Sequence, residues 1–113
     1  FQPHRYSRFK YLYNEFKKVL QMCDKLIVSD VYPAGEKKIK LYNKEKFVSD
    51  INKEKKDLAL TMDNIEDLPE IISKNTNFGD MVVFVGAGDI SKWANNLPTQ
   101  LKKKIIDKHV KSS

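Results

Sequence analysis

GDMVVFVGAGD, residues 79–89, is the part of this sequence that indicates its fold class most clearly. Five consecutive apolar residues, Met81 to Val85, predict a β-strand that is covered on both faces. A glycine turn follows at 86–88, and an apolar pattern with helical spacing begins after Asp89, the expected N-cap of that helix. A buried strand that leads through a tight turn into a helix is typical of α/β proteins.

Two more short strands are predicted upstream, one from Leu26 to about Val31 and one at 58–60. Apolar residues at steps of three and four predict a helix from about Arg8 to Met22, with Ser7 as its N-cap. Further helices are expected within 37–56 and after residue 67. These elements alternate along the chain in the order that parallel strand pairing requires.

Two details of the later helices can be predicted. Asp67-x-x-Glu70 has the spacing of a capping box, and Pro69 fits the first turn of a helix better than its interior. Pro98 is expected to restart the last helix, which Ile105 and Ile106 continue before a polar tail.

The alternation predicts a Rossmann-like three-layer α/β domain with a mostly parallel sheet and right-handed crossovers. The 113 residues have room for one compact core, so 1–113 is read as one domain with 98–113 as a helical tail. Ligands of such sheets collect outside the carboxyl ends of the strands. Three loops are expected to meet there, at 3–7, 32–36 and 86–89.

Composition restricts the classes of function. No apolar run approaches the roughly 20 residues of a membrane helix, and neither a membrane nor a secretory leader is indicated. Cys23 is the one cysteine, so an internal disulfide is impossible and a reducing cytoplasm is the expected location. Cys23 ends the apolar stripe of the first helix, which predicts a buried and unreactive thiol.

The net charge of +6 invites comparison with nucleic-acid-binding modules. Only Arg5 and Arg8 among the 21 basic residues are arginines, and the lysines are scattered among acidic residues as on a mixed charged surface. The chain also lacks the interleaved aromatic and basic residues of single-strand binders, so nucleic acid is not the expected partner, although a stand-alone basic module stays open as an alternative.

The glycine turn does not complete a dinucleotide fingerprint, because Ser91 stands where the third glycine belongs. The segment FQPHRYSR, residues 1–8, is more informative. It places His4, Arg5 and Arg8 on the loop that enters the first helix, where two planar guanidinium groups favour a carboxylate or phosphate ligand. Ordinary surface arginines remain the competing interpretation.

FQPHRYSR closely resembles the signature of UDP-N-acetylmuramate–L-alanine ligases, members of the Mur ligase family. DVYPAGE at 30–36 and GAGDI at 86–90 match further motifs of that family in the same order. The resemblance extends from residue 1 to about residue 97. A related murein peptide ligase is the alternative within the same class, but its residues differ where His4 to Arg8 stand.

The resemblance implies the C-terminal domain of an ATP-dependent ligase that joins L-alanine to UDP-N-acetylmuramate through an acyl phosphate in peptidoglycan synthesis. ATP and Mg²⁺ would be bound mainly by a central domain with a phosphate loop, which this sequence lacks. The domain is therefore expected to be incomplete at its N-terminal strand and inactive alone. Self-association through the sheet edge is expected to be possible.

By the same resemblance, Arg5 and Arg8 would hold the carboxylate of L-alanine, and His4 would orient that pocket. Tyr32 and its neighbours Ala34, Gly35 and Glu36 would line the same region. The expected partners are L-alanine, UDP-N-acetylmuramate and the two other domains of the ligase. No metal ligand and no catalytic residue is predicted in this segment.

Overall fold

The computed structural model describes the backbone of residues 1–112 and the side chains of residues 1–103. The elements in chain order are α1 (Tyr6–Tyr11), α2 (Tyr13–Leu20), β1 (Leu26–Val28), α3 (Lys44–Glu54), β2 (Ala59–Thr61), a 3₁₀ turn (Ile65–Asp67), α4 (Leu68–Asn75) and α5 (Ile90–Ser112). Strands β1 and β2 pair in parallel, with Leu26 opposite Ala59. The predicted α/β class with parallel pairing is confirmed.

The sheet separates two apolar clusters because successive strand residues point to opposite faces. Leu26 and Val28 belong to the first cluster, where they pack with side chains of the first three helices, notably Phe9, Tyr13 and Phe47. Ile27 packs instead against the second cluster, formed by Met62, Leu68, Ile72 and Leu97. Helices therefore cover both faces of the small sheet, as a three-layer arrangement requires.

Residues 1–5 run parallel to the chain that follows β1. The Phe1 ammonium donates to the Ile27 carbonyl oxygen at 2.7 Å, and the Ser29 amide donates to the Phe1 carbonyl oxygen at 3.0 Å. On the opposite side, the Gln2 amide donates to the Val85 carbonyl oxygen at 2.9 Å. The N-terminal segment thus joins β1 to the segment that precedes the glycine turn.

The predicted strand at 81–85 is wrong. Residues 81–85 form no strand, and Met81 and Val83 are 86% and 66% exposed. A strand needs a hydrogen-bonded neighbour along its length, and among the described residues this segment has only the Gln2 amide, which donates to the carbonyl oxygen of its last residue, Val85. Its apolar side chains instead line an open groove of about 710 Å³ together with Phe1, Ile27 and Trp93.

The predicted helix from Arg8 to Met22 is interrupted. Leu12 has φ −102° and ψ 14° and separates α1 from α2, and α2 ends at Leu20. Ser7 is not the N-cap: it lies inside α1, and Arg5 occupies the cap position. The strand β1 also ends earlier than predicted, at Val28, because the following residues bond to Phe1 and Pro3 instead of extending the ladder with β2.

Three smaller predictions are also wrong. Cys23 is exposed, since α2 ends before it and leaves it in a turn. Asp67 makes no side-chain cap, because the preceding 3₁₀ turn already gives it helical angles. Pro98 does not restart the last helix but lies inside the continuous α5.

One further prediction for the helices is confirmed. Pro69 does lie in the first turn of α4, as predicted. The side chains of Ile105 and Ile106 lie outside the described residues. Within the described part of the chain, every helix is too short or too polar to cross a membrane.

Candidate functional site

The three predicted loops meet beside the carboxyl ends of the strands. Tyr32 forms a parallel bridge with His4, and Gln2 forms one with Gly86. Ser7 is hydrogen-bonded to Glu36, which links the first loop to the second. The meeting of these loops follows from parallel topology, because parallel strands end at the same edge of a sheet.

Tyr32 lies at the centre of these contacts. Its carbonyl oxygen accepts the Arg5 amide at 2.7 Å, and its own amide donates to the Pro3 carbonyl oxygen at 2.7 Å. Its ring lies parallel to the His4 ring, with centroids 5.6 Å apart and an interplanar angle of 9°. The backbone of the second loop therefore fixes the conformation of the residues that carry the charged side chains of the first.

Two glycines let the third loop approach the other two closely. A Cβ atom on Gly86 would lie 2.3 Å from the Gln2 carbonyl oxygen, and one on Gly88 would lie 2.9 Å from the ring of Tyr32. Both glycines have positive φ, at 142° and 80°. The glycine turn is thus used for close packing within the chain, which the incomplete fingerprint alone did not predict.

Glu36 is already engaged by the protein. Its carboxylate accepts the Ser7 amide at 3.1 Å and the Ser7 hydroxyl at 2.5 Å. These hydrogen bonds, with the nearby charge of Arg5, hold the pKa of Glu36 below its usual value. Glu36 therefore connects two loops as an ionised group, and because it stands 29 positions after Ser7, local sequence patterns could not predict this contact.

Arg5 and Arg8 open onto the same pocket. It has a volume of about 620 Å³, is open to solvent, and is lined by His4, Arg5, Ser7, Arg8 and Tyr11. Both arginines are exposed, and among the described residues neither is in a salt bridge. Although the charge of Arg5 lies near the Glu36 carboxylate, neither guanidinium group is held in a salt bridge among the described residues, which makes this pocket suited to an anion with paired oxygens.

Arg5 has an unusual backbone conformation, with φ 62°. This region disfavours residues with a side chain and is held here by the hydrogen bond to the Tyr32 carbonyl oxygen. The geometry brings His4, Arg5 and Arg8 together, with Tyr32 against His4. Ala34 and Gly35 form a turn, in which the Glu36 amide donates to the Pro33 carbonyl oxygen, and they do not line the pocket. Tyr11 lines it without having been predicted.

The described residues do not fit a centre for nucleotide phosphates and metal. They contain no group of three His, Cys, Asp or Glu side chains that could hold a metal ion. The sequence has no glycine-rich loop ending in Gly-Lys-Thr to surround the β- and γ-phosphates.

No family model matches the chain. The chain is 40% identical over 102 residues to the UDP-N-acetylmuramate–L-alanine ligase of Parvibaculum lavamentivorans. The aligned residues cover 90% of the chain and 21% of that relative. It is 41% identical over 101 residues to the ligase of the same name from Rhodospirillum rubrum, covering 89% and 21%. The Rickettsia felis ligase is 37% identical over 105 residues, covering 92% and 22%.

The recognition made from the three motifs is thereby confirmed. Over about nine tenths of its length, the chain is similar to one part of UDP-N-acetylmuramate–L-alanine ligases, and it spans about a fifth of the length of these relatives.

Proposed function

From its similarity to part of UDP-N-acetylmuramate–L-alanine ligases, we propose that this chain is the C-terminal domain of such an enzyme and helps to bind the amino acid. In the complete enzyme it contributes to joining L-alanine to UDP-N-acetylmuramate. ATP and Mg²⁺ are bound mainly elsewhere in that enzyme, since this chain carries no phosphate loop. The chain alone is inactive as a ligase.

One observation carries the assignment of the site. Arg5 and Arg8 lie about one helical turn apart, are exposed and face one pocket, and among the described residues neither forms a salt bridge. A carboxylate can accept paired N–H groups from a guanidinium fork, which a lysine ammonium cannot reproduce. The carboxylate that does not react is the group of alanine that such a pocket would hold.

Holding that carboxylate leaves the amine of alanine free for attack on the activated muramoyl carboxyl group. In an acyl-phosphate mechanism the activated carboxyl carries phosphate, the amine attacks it, and phosphate departs. The contribution of Arg5 and Arg8 is orientation, because a fixed nucleophile avoids much of the entropy cost of a bimolecular encounter.

The neighbouring residues take supporting roles in this proposal. His4 stacks on Tyr32 at the pocket wall and orients the first loop. Glu36 holds Ser7, so its carboxylate faces the protein and not the substrate. Ala34 and Gly35 shape the turn that brings Glu36 back to α1.

The test uses the full-length enzyme with Arg5→Lys and Arg8→Lys as separate variants. Each keeps the positive charge and removes the fork, so the KM for alanine should rise at least about tenfold, or about 1.4 kcal/mol. The KM values for UDP-N-acetylmuramate and ATP should change little, which separates amino-acid binding from nucleotide binding.

Lys10→Gln is the matched control, because Lys10 is exposed on α1 but does not line the pocket. It removes a full charge and should leave alanine saturation unchanged. Alanine saturation that is unchanged in both arginine variants would refute the assigned site.

A further inference from the structure

Lys44 is a buried lysine at the carboxyl edge of the sheet. It is the first residue of α3 and only 3% exposed. Its ammonium lies 2.8 Å from an Asp30 carboxylate oxygen, 2.7 Å from one of Asp63, and 3.1 Å from the Met62 carbonyl oxygen. These three acceptors match the three N–H donors of the ammonium.

The ammonium is held in its charged form. Burial alone would lower the pKa of Lys44, but the hydrogen bonds that its ammonium donates to the Asp30 and Asp63 carboxylates outweigh burial and raise the pKa. Each aspartate stands two residues beyond the end of a strand, Asp30 after β1 and Asp63 after β2. Lys44 therefore ties the ends of the two parallel strands together at one point.

The two carboxylates lead to different parts of the molecule. Asp30 opens the loop that reaches Tyr32 two residues later, and the Tyr32 carbonyl oxygen accepts the Arg5 amide. Asp63 leads into the 3₁₀ turn and α4, none of whose residues line the Arg5–Arg8 pocket. The route from Lys44 to the pocket thus passes through Asp30 and not through Asp63.

We propose that Lys44 is a positioning residue for amino-acid binding, acting through Asp30 on Tyr32 and through Tyr32 on the backbone of Arg5. This inference rests on the proposed function of the pocket. Lys44 does not line the pocket itself, and its role is to hold the 30–36 loop where Tyr32 can support Arg5 in its positive-φ conformation.

The experiment compares Asp30→Asn with Asp63→Asn in the full-length enzyme. Both changes keep the size of the side chain and remove one carboxylate from the same lysine, and both aspartates are largely exposed, at 73% and 79%. We expect the KM for alanine to rise about fivefold or more in Asp30→Asn, with kcat changed less than about twofold. In Asp63→Asn, the KM should stay within about twofold of the parent value.

The melting temperatures of the two aspartate variants show whether Lys44 only stabilises the fold. If Lys44 only stabilises the fold, the two variants should lose similar stability and show the same alanine KM, which would overturn the proposal. Lys44→Met combined with Arg5→Lys gives a second measurement that does not depend on the aspartates. If Lys44 acts through Arg5, the double variant should raise the KM for alanine by less than the product of the two single-variant increases. An increase equal to that product would contradict the proposal.

Failure of this inference can be told from failure of the proposed function. If Arg5→Lys and Arg8→Lys leave alanine saturation unchanged, the pocket assignment is wrong, whatever the lysine variants show. If the arginine variants raise the KM but Asp30→Asn and Asp63→Asn behave alike, the pocket stands and the role of Lys44 is wrong.

Discussion

Tyr32 is the residue at which all three loops come into contact. Its backbone bonds to Pro3 and Arg5, its ring stacks on His4, and Gly88 lies directly against that ring. Packing of this kind tolerates little added volume, because neither backbone nor an aromatic ring held on two sides can move far.

Gly88→Ala should therefore destabilise the protein more than a matched glycine change elsewhere. The new Cβ would lie 2.9 Å from the Tyr32 ring, at φ 80°. Gly35→Ala is the control, since its φ of 86° imposes the same backbone strain but no atom lies within 4 Å of its Cβ. We expect Gly88→Ala to lower the free energy of unfolding by about 1–2 kcal/mol more than Gly35→Ala in chemical denaturation. Equal losses would show that the ring moves aside freely.

At the residue scale, side chains that are close in sequence were predicted better than contacts between residues that are far apart in sequence. His4 and Arg5 precede the first helix, as predicted, whereas Arg8 lies inside α1 and not on the loop; all three nevertheless line one pocket. The Ser7–Glu36 bond joins residues 29 apart and could not be predicted from local spacing. Lys44 was also missed, because a charged stretch gives no sign that one of its lysines will be buried.

Among the elements, α3 has the best-defined beginning. Asn43 is its N-cap, and its side-chain oxygen accepts the Lys46 amide at 2.8 Å. This bond satisfies one of the amides that the first turn of a helix leaves without a partner. Because Lys44 follows directly, the cap also fixes where the buried ammonium enters the sheet edge.

Asn43→Ala should lower the free energy of unfolding by about 1 kcal/mol, since the cap bond is lost. Asn64→Ala is a suitable comparison, because Asn64 precedes the 3₁₀ turn and makes no side-chain cap. That second change should have an effect within about 0.5 kcal/mol of zero. Thermal or denaturant unfolding of both variants measures the difference, and similar losses at the two positions would contradict the capping role.

Helices were predicted more accurately than strands, for a physical reason. The apolar periodicity of α3, α4 and the start of α5 is a local property, because a helix forms its own hydrogen bonds. The segment 81–85 has the composition of a buried strand, but a strand forms only beside another strand that bonds to it along its length. Among the described residues, the segment is bonded only at Val85, whose carbonyl oxygen accepts the Gln2 amide. The break at Leu12 was missed because the apolar spacing runs through it.

At the scale of the whole molecule, Phe1 connects the sheet to the first core cluster. Its ring lies between Phe16 and Phe47, with centroid distances of 5.1 Å and 5.7 Å. Its backbone nitrogen donates to the Ile27 carbonyl oxygen at 2.7 Å. One residue therefore joins strand β1 to the aromatic side chains of the first cluster.

The groove beside residues 81–85 affects how the molecule behaves when it is concentrated. Met81 and Val83 face solvent, and among the described residues the backbone of this segment is largely unpaired. The unpaired backbone groups of 81–85 can bond to the same segment of another molecule. The net charge of +6 opposes this association only weakly at high ionic strength, because salt screens the repulsion. We therefore expect aggregation of concentrated protein to begin at this groove. Val83→Lys should delay the rise in turbidity during storage, and it should leave the Arg5–Arg8 pocket unchanged because Val83 does not line that pocket.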